Sequence, residues 1–178
     1  MKTALKILLL GIALFFTHSY TIPGGYLVIT DEMKYRAERD FFYYEIKDEP
    51  FSEELLKKVI AYERIRYPDV VLLQAQLETG FYTSDIFNNG HNCFGMKFPK
   101  YRPTVATGVY QGHSQYDHWI QSVRDYKIWQ DWYISRGYRI ESKQDDALYL
   151  VFLDCIKYAE DPHYIPKLVR LSTYKDLT

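Results

Sequence analysis

A mainly helical α+β domain is predicted by three features of the 178-residue sequence. Most of the chain after residue 50 divides into apolar segments of helical length, bracketed by N-cap residues and by Gly or Pro breakers. One stretch, residues 81–117, is instead rich in Gly, Asn, Pro and Thr and carries short β-like runs. Composition agrees with a packed domain, because 47% apolar and 25% charged residues are close to globular averages. The length suits one domain with a short extension.

Each element has a local cause. Residues 1–20 place Lys2 and Lys6 before an apolar run from Ile7 to Phe16, then small or polar residues; that is the layout of a secretory signal peptide. The run is shorter than the roughly 20 residues of a membrane span, so no stable span is expected after its removal. Residues 21–50 read as an N-terminal arm whose cluster Phe41, Phe42, Tyr43 and Tyr44 packs onto the domain formed by residues 51–178. Ser52 caps a helix to about Ile65, with Leu55, Leu56, Val59 and Ile60 as its apolar stripe. Pro68 suits the first turn of the next helix, Asp69 to Thr79, and Gly80 suits its C′ position. Residues 81–117 read as loops and a small hairpin, with Thr104 to Val109 as the β-like run. Ser122 and Asp125 form a capping-box pattern for a helix that Gly137 ends. Asp145 or Asp146 caps a further apolar helix through about Tyr158, and Asp161-Pro162 precedes a last short helix.

Several function classes are disfavoured. With 22 basic against 23 acidic residues, no global field draws the chain to nucleic acid. No Walker loop, dinucleotide fingerprint or nucleophile elbow occurs, and the scattered histidines show no metal-ligand spacing, so neither cofactor nor metal is expected. The 17% aromatic content, with 18 Tyr, suits a surface that grips flat, polar-edged ligands such as sugar rings, although a Tyr-rich core accounts for it equally. Export permits a disulfide between the two cysteines, Cys93 and Cys155; two buried free thiols are the open alternative.

Chemistry concentrates around Glu78. Helical spacing puts Val71, Gln74 and Glu78 on one face of an otherwise apolar helix, with Glu78 in the last turn. Desolvation and the negative end of the helix dipole both raise its pKa, the condition for a carboxylic acid that donates a proton near neutrality. From spacing alone, an ordinary surface Glu at a helix end competes with that reading. Downstream, Asn92, Phe94 and Gly95 lie in a turn-rich segment where Asn can bond sugar hydroxyls and Gly admits a ligand close to the backbone.

The order of these motifs resembles the bacterial glucosaminidase domain of flagellar peptidoglycan hydrolases and autolysins. The resemblance rests on Gln74-Ala75-Gln76-Leu77-Glu78-Thr79-Gly80, then Ser84, then Asn92-Cys93-Phe94-Gly95-Met96-Lys97, then Tyr116 with Ser122 and Asp125, then Tyr158-Ala159-Glu160-Asp161-Pro162-His163-Tyr164. It covers about Ser52 to Leu171 and implies a lysozyme-like fold, a helical lobe and a small β lobe flanking a glycan groove. The implied substrate is the peptidoglycan glycan strand, cut at β-1,4 bonds by an exported, monomeric endo-β-N-acetylglucosaminidase that needs no cofactor. Glu78 matches the family's general acid and Tyr158 its active-site tyrosine, while Asn92, Phe94 and Gly95 match the groove loop. Gln74, Tyr82, Tyr116 and Trp119 complete the expected substrate-binding set.

One departure from the pattern bears on mechanism. Family members often carry a second acid in the β lobe, yet Lys97 to Gln115 contains no Asp or Glu. Either the substrate's own 2-acetamido group replaces it, or Asp117, just past the gap, reaches the groove. Two other activities use the same residues: a module that binds glycan without cutting it, and a lytic transglycosylase.

Overall fold

The computed structural model describes residues 29–140 and 145–175, so the expected signal peptide lies outside the described residues. The chain divides into two compact units, residues 1–45 and 46–178. Within the stretch expected as an arm, helix α1 (Asp31–Ile46) lies almost wholly in the first unit; its acidic first turn, Asp31 and Glu32, suits the positive end of a helix. No described helix is long and apolar enough to cross a membrane.

The second unit is built around one apolar helix. Ser52 caps α2 (Glu53–Tyr62) by accepting a bond from the Leu55 N–H, as expected, and the helix buries Leu56, Val59 and Ile60. Its end precedes the expected one, because Arg64 turns the chain with φ of 52°. Helix α3 (Pro68–Glu78) begins with Pro at its first position and buries every residue from Val70 to Gln76. It packs against α2, α6 (Asp146–Cys155) and α7 (Tyr164–Lys175). A helix with almost no polar face needs neighbours all round, and this one has them. Gly80 follows with φ of 55°, the left-handed residue expected past the helix end.

The segment 81–117 contains a helix that the turn-rich composition concealed: Ser84 caps α4 (Asp85–Gly90) through the Phe87 N–H. The hairpin is present but displaced. Strands β1 (Gly108–Tyr110) and β2 (His113–Gln115) pair antiparallel, Val109 opposite Ser114, through Gln111 and Gly112 at positive φ. That two-residue turn matches the twist of the strands. Residues near Thr104 do not join the sheet, because the Val105 N–H goes to the Asp125 carboxylate and the Ala106 N–H to the Thr104 hydroxyl.

Helix α5 (Trp119–Ser135) corrects the capping expectation. His118, not Ser122, is the cap: its Nδ1 accepts from the Ile120 N–H, and Gln121 reaches back to the His118 N–H. Ser122 and Asp125 are buried and serve the tertiary structure instead, Ser122 Oγ accepting from the Cys93 N–H. Asp145 caps α6, which ends at Cys155 rather than Tyr158 because Lys157 adopts φ of 54°. Tyr158 is thereby released from the helix. Helix α7 accommodates Pro166 in its first turn, where no N–H partner is lost.

Of the two alternatives open for the cysteines, the disulfide is not formed. Cys93 is buried with its Sγ 3.8 Å from the Trp119 carbonyl oxygen, whereas Cys155 is exposed at the end of α6, and both are free thiols.

Candidate active site

Glu78 ends α3 at the wall of a cavity of about 530 Å³. Burial raises its carboxyl from the ordinary range to about 7, against a lowering hydrogen bond from Tyr164. A group of that pKa is about half protonated at neutral pH, so it can donate a proton and take one back. Gly95 lies directly against it. With φ of 61° and a Cβ position only 2.6 Å from Glu78 Oε2, residue 95 must be glycine for backbone and carboxyl to approach this closely.

The loop bearing Gly95 is held by Asn92. Its buried side chain donates to the Met96 and Ser114 carbonyls and accepts from the Phe94 and Met96 N–H groups. Asn92 is therefore a brace between the loop and β2, with no free group for a sugar. From the opposite side the Tyr158 hydroxyl donates to the Phe94 carbonyl at 2.8 Å, and the Tyr158 ring meets Trp129 edge-on. Glu78, Phe94, Gly95 and Tyr158 thus share the cavity.

The remaining expected residues are placed elsewhere. Gln74 is fully buried behind Glu78, bonding Tyr164 and Tyr126. Tyr82 donates to Glu53 and packs on Phe51 and Phe87; Trp119 is buried against the same Phe51. Tyr116 is buried and donates to Asp125. Asp117 accepts from the Thr107 hydroxyl, and its N–H donates to Gln121 at the entry to α5. None of these lines the cavity.

Other residues take their places. Trp129, Trp132 and Tyr133 project from one face of α5, and their spacing is the signal that marks them. Tyr101 and Arg102 line the same cavity; Arg102 is held by a two-pronged contact with buried Asp125 at 3.1 and 2.7 Å. The acid that joins Glu78 there is Glu160, exposed and 2.8 Å from Lys97 Nζ. Among the described residues, no group of three His, Cys, Asp or Glu side chains is placed to hold a metal ion.

Residues 54–177 match the family described as Glucosaminidase, Mannosyl-glycoprotein endo-beta-N-acetylglucosaminidase. The chain belongs to the glucosaminidase family. Among solved structures, the chain is similar to the catalytic domain of the autolysin Auto from Listeria monocytogenes, with 18% identity and a TM-score of 0.47 over 86% of this chain and 98% of that one. No curated protein sequence matches it. The matched span contains all the cavity-lining residues, from Glu78 to Glu160.

Proposed function

We propose that this chain is an endo-β-N-acetylglucosaminidase that hydrolyses β-1,4 bonds in the peptidoglycan glycan strand outside the cytoplasm, with Glu78 as general acid. The observation that carries the reading is a carboxyl held near pKa 7 by burial, at the wall of an open, aromatic-lined cavity. Family membership and the order of the motifs support a glycan substrate.

In the proposed reaction, protonated Glu78 gives its proton to the glycosidic oxygen as the bond to the anomeric carbon breaks. The carbonyl oxygen of the substrate's 2-acetamido group closes onto that carbon, forming an oxazolinium intermediate. Glu78, now a carboxylate, takes a proton from water, whose oxygen opens the ring and leaves a hydrolysed sugar with the acid regenerated. Three features favour this route over a second protein carboxylate. Lys97 to Gln115 holds no acid, Asp117 is engaged at the start of α5, and Glu160 is ion-paired with Lys97. Tyr158 walls the reacting sugar with its ring while its hydroxyl keeps the Phe94-Gly95 loop in register.

Digestion of purified peptidoglycan tests this. New reducing ends bearing N-acetylglucosamine, abolished by Glu78→Gln, are expected. Release of 1,6-anhydro ends would assign a transglycosylase, and binding without turnover a glycan-binding module.

A further inference from the structure

The aromatic wall of the cavity continues past the acid. It starts at Tyr158, whose hydroxyl holds the Phe94 carbonyl next to Gly95, and Gly95 lies against Glu78. The Tyr158 ring meets Trp129 edge-on at 5.4 Å between centroids, Trp129 meets Tyr133 at 5.2 Å, and Tyr133 meets Trp132 at 4.9 Å. Trp129 and Tyr133 therefore stand between Trp132 and the ring beside the acid. Helical spacing makes this row, because positions 129, 132 and 133 are three and four apart on α5 and share a face.

The last ring of the row is built differently from its neighbour. Trp129 is buried and also packs on Tyr126 and Phe152, as a core side chain does. Trp132 is only half-buried, and the Arg136 guanidinium carbon lies over its ring, 3.9 Å from the centroid. Arg136 is the C-cap residue of α5, where the negative end of the helix favours a cation, and it is one turn beyond Trp132, so two attractions hold it there. Trp132 lines the cavity and Arg136 does not, so the ring surface that the cation leaves uncovered is the surface offered to the cavity. An indole half out of water and steadied from behind is a rigid contact for a ligand that is apolar on its face and polar at its edge. A pyranose ring has that form: its axial C–H groups give the apolar face, and its hydroxyl and acetamido groups the polar edge.

We propose that Trp132, steadied by Arg136, is a second sugar-binding position, separate from the one at the acid, that packs against another ring of the same glycan strand. The proposal rests on the glycan reading of the cavity and adds how the strand is held beyond the bond being cut. Trp132 is then a binding residue for long substrates, and Arg136 is a positioning residue that acts through it.

The test labels the tryptophans, Trp119, Trp129 and Trp132, with 5-fluorotryptophan in Glu78→Gln protein and titrates it with a peptide-free glycan octasaccharide, followed by fluorine resonances and calorimetry. The Trp132 resonance, assigned by its loss in Trp132→Phe, is expected to move together with that of Trp129, while that of Trp119, buried outside the cavity, stays in place. Trp132→Ala added to this protein is expected to weaken the octasaccharide about ten- to thirtyfold, and Trp132→Phe to weaken it by less. Arg136→Gln, which frees the ring without removing it, is expected to cost about threefold, with Arg136→Lys restoring most of the loss. In protein that retains Glu78, the same substitutions are expected to raise KM for peptidoglycan more than they lower kcat. An unmoved Trp132 resonance at saturating octasaccharide, or unchanged affinity in folded Trp132→Ala protein, overturns the proposal and leaves the glycan reading standing. An octasaccharide that moves no tryptophan resonance and gives no heat overturns the glycan reading and the proposal with it.

Discussion

Gly95 and Glu78 are in contact across the cavity wall, so that a single methyl at position 95 would lie 2.6 Å from Glu78 Oε2. The loop can hold the acid this tightly because residue 95 adopts φ of 61°, where a side chain is strained even without the clash. Gly95→Ala is therefore expected to displace the carboxyl and cost about 1–3 kcal/mol of stability. The measurable outcome is turnover reduced at least tenfold in protein that still melts cooperatively. Wild-type kcat/KM in Gly95→Ala would mean that the carboxyl has room to spare.

As the proposed general acid, Glu78 would couple activity to pH through its ionisation. The basic limb of kcat/KM should fall through about pH 7, where the acid loses its proton. Stability carries the same signature with a definite sign. A carboxyl whose folded pKa is raised from 4.5 to about 7 favours the folded state while protonated, and that advantage is lost as pH rises through this window. Glu78→Gln lacks the penalty, so its melting temperature relative to wild type should climb between pH 4.5 and 7 and then level off. The full difference is about 3 kcal/mol, and a pH-independent difference would contradict a buried, raised carboxyl.

Asp117→Asn should leave turnover per folded molecule within about threefold of wild type, because the residue serves the Thr107 and Gln121 contacts rather than the cavity. A thiazoline analogue of the oxazolinium intermediate should inhibit. Severe loss of turnover in fully folded Asp117→Asn, with no inhibition by the thiazoline, would instead point to a protein carboxylate as the second group.

The Arg102 and Asp125 side chains are almost wholly shielded from solvent, and Asp125 also accepts from Tyr116 and the Val105 N–H. Removing one member strands the other charge, so Asp125→Ala is expected to lower stability by about 3–5 kcal/mol. Chemical denaturation measures it. A loss under 1 kcal/mol would show that Arg102 finds another partner or reaches water.

Thiol chemistry separates the two cysteines. Burial pushes the Cys93 thiol up to about 12, whereas Cys155 is exposed. Native protein should react at Cys155 alone, and denatured, unreduced protein at both. Two unreactive thiols after denaturation would restore the disulfide.

Glu78 was legible in the sequence because every cue to it is local. An apolar helix, a left-handed Gly80 past its end and a carboxylate in its last turn lie within a dozen residues, and together they predict burial and a raised pKa. The Asn92 to Gly95 segment was legible as a turn, but its roles were not: Asn92, expected to bond sugar, braces the loop, and Gly95, expected to admit a ligand, admits the Glu78 carboxyl. What the cavity contains was decided by tertiary structure. Tyr164 reaches Gln74 across 90 residues of chain, and Asp125 reaches Arg102 across 23, and no side-chain period encodes which element will face which. Asp117 came into question as a second acid only by its place just past an acid-free stretch. The folded chain assigns the three carboxylates by what surrounds each: a helix entry for Asp117, a buried guanidinium for Asp125, and the cavity rim for Glu160. Local sequence determined where the acid sits and what conformation its neighbours adopt. Burial and partner choice are properties of packed surfaces, and only the fold brings those surfaces together.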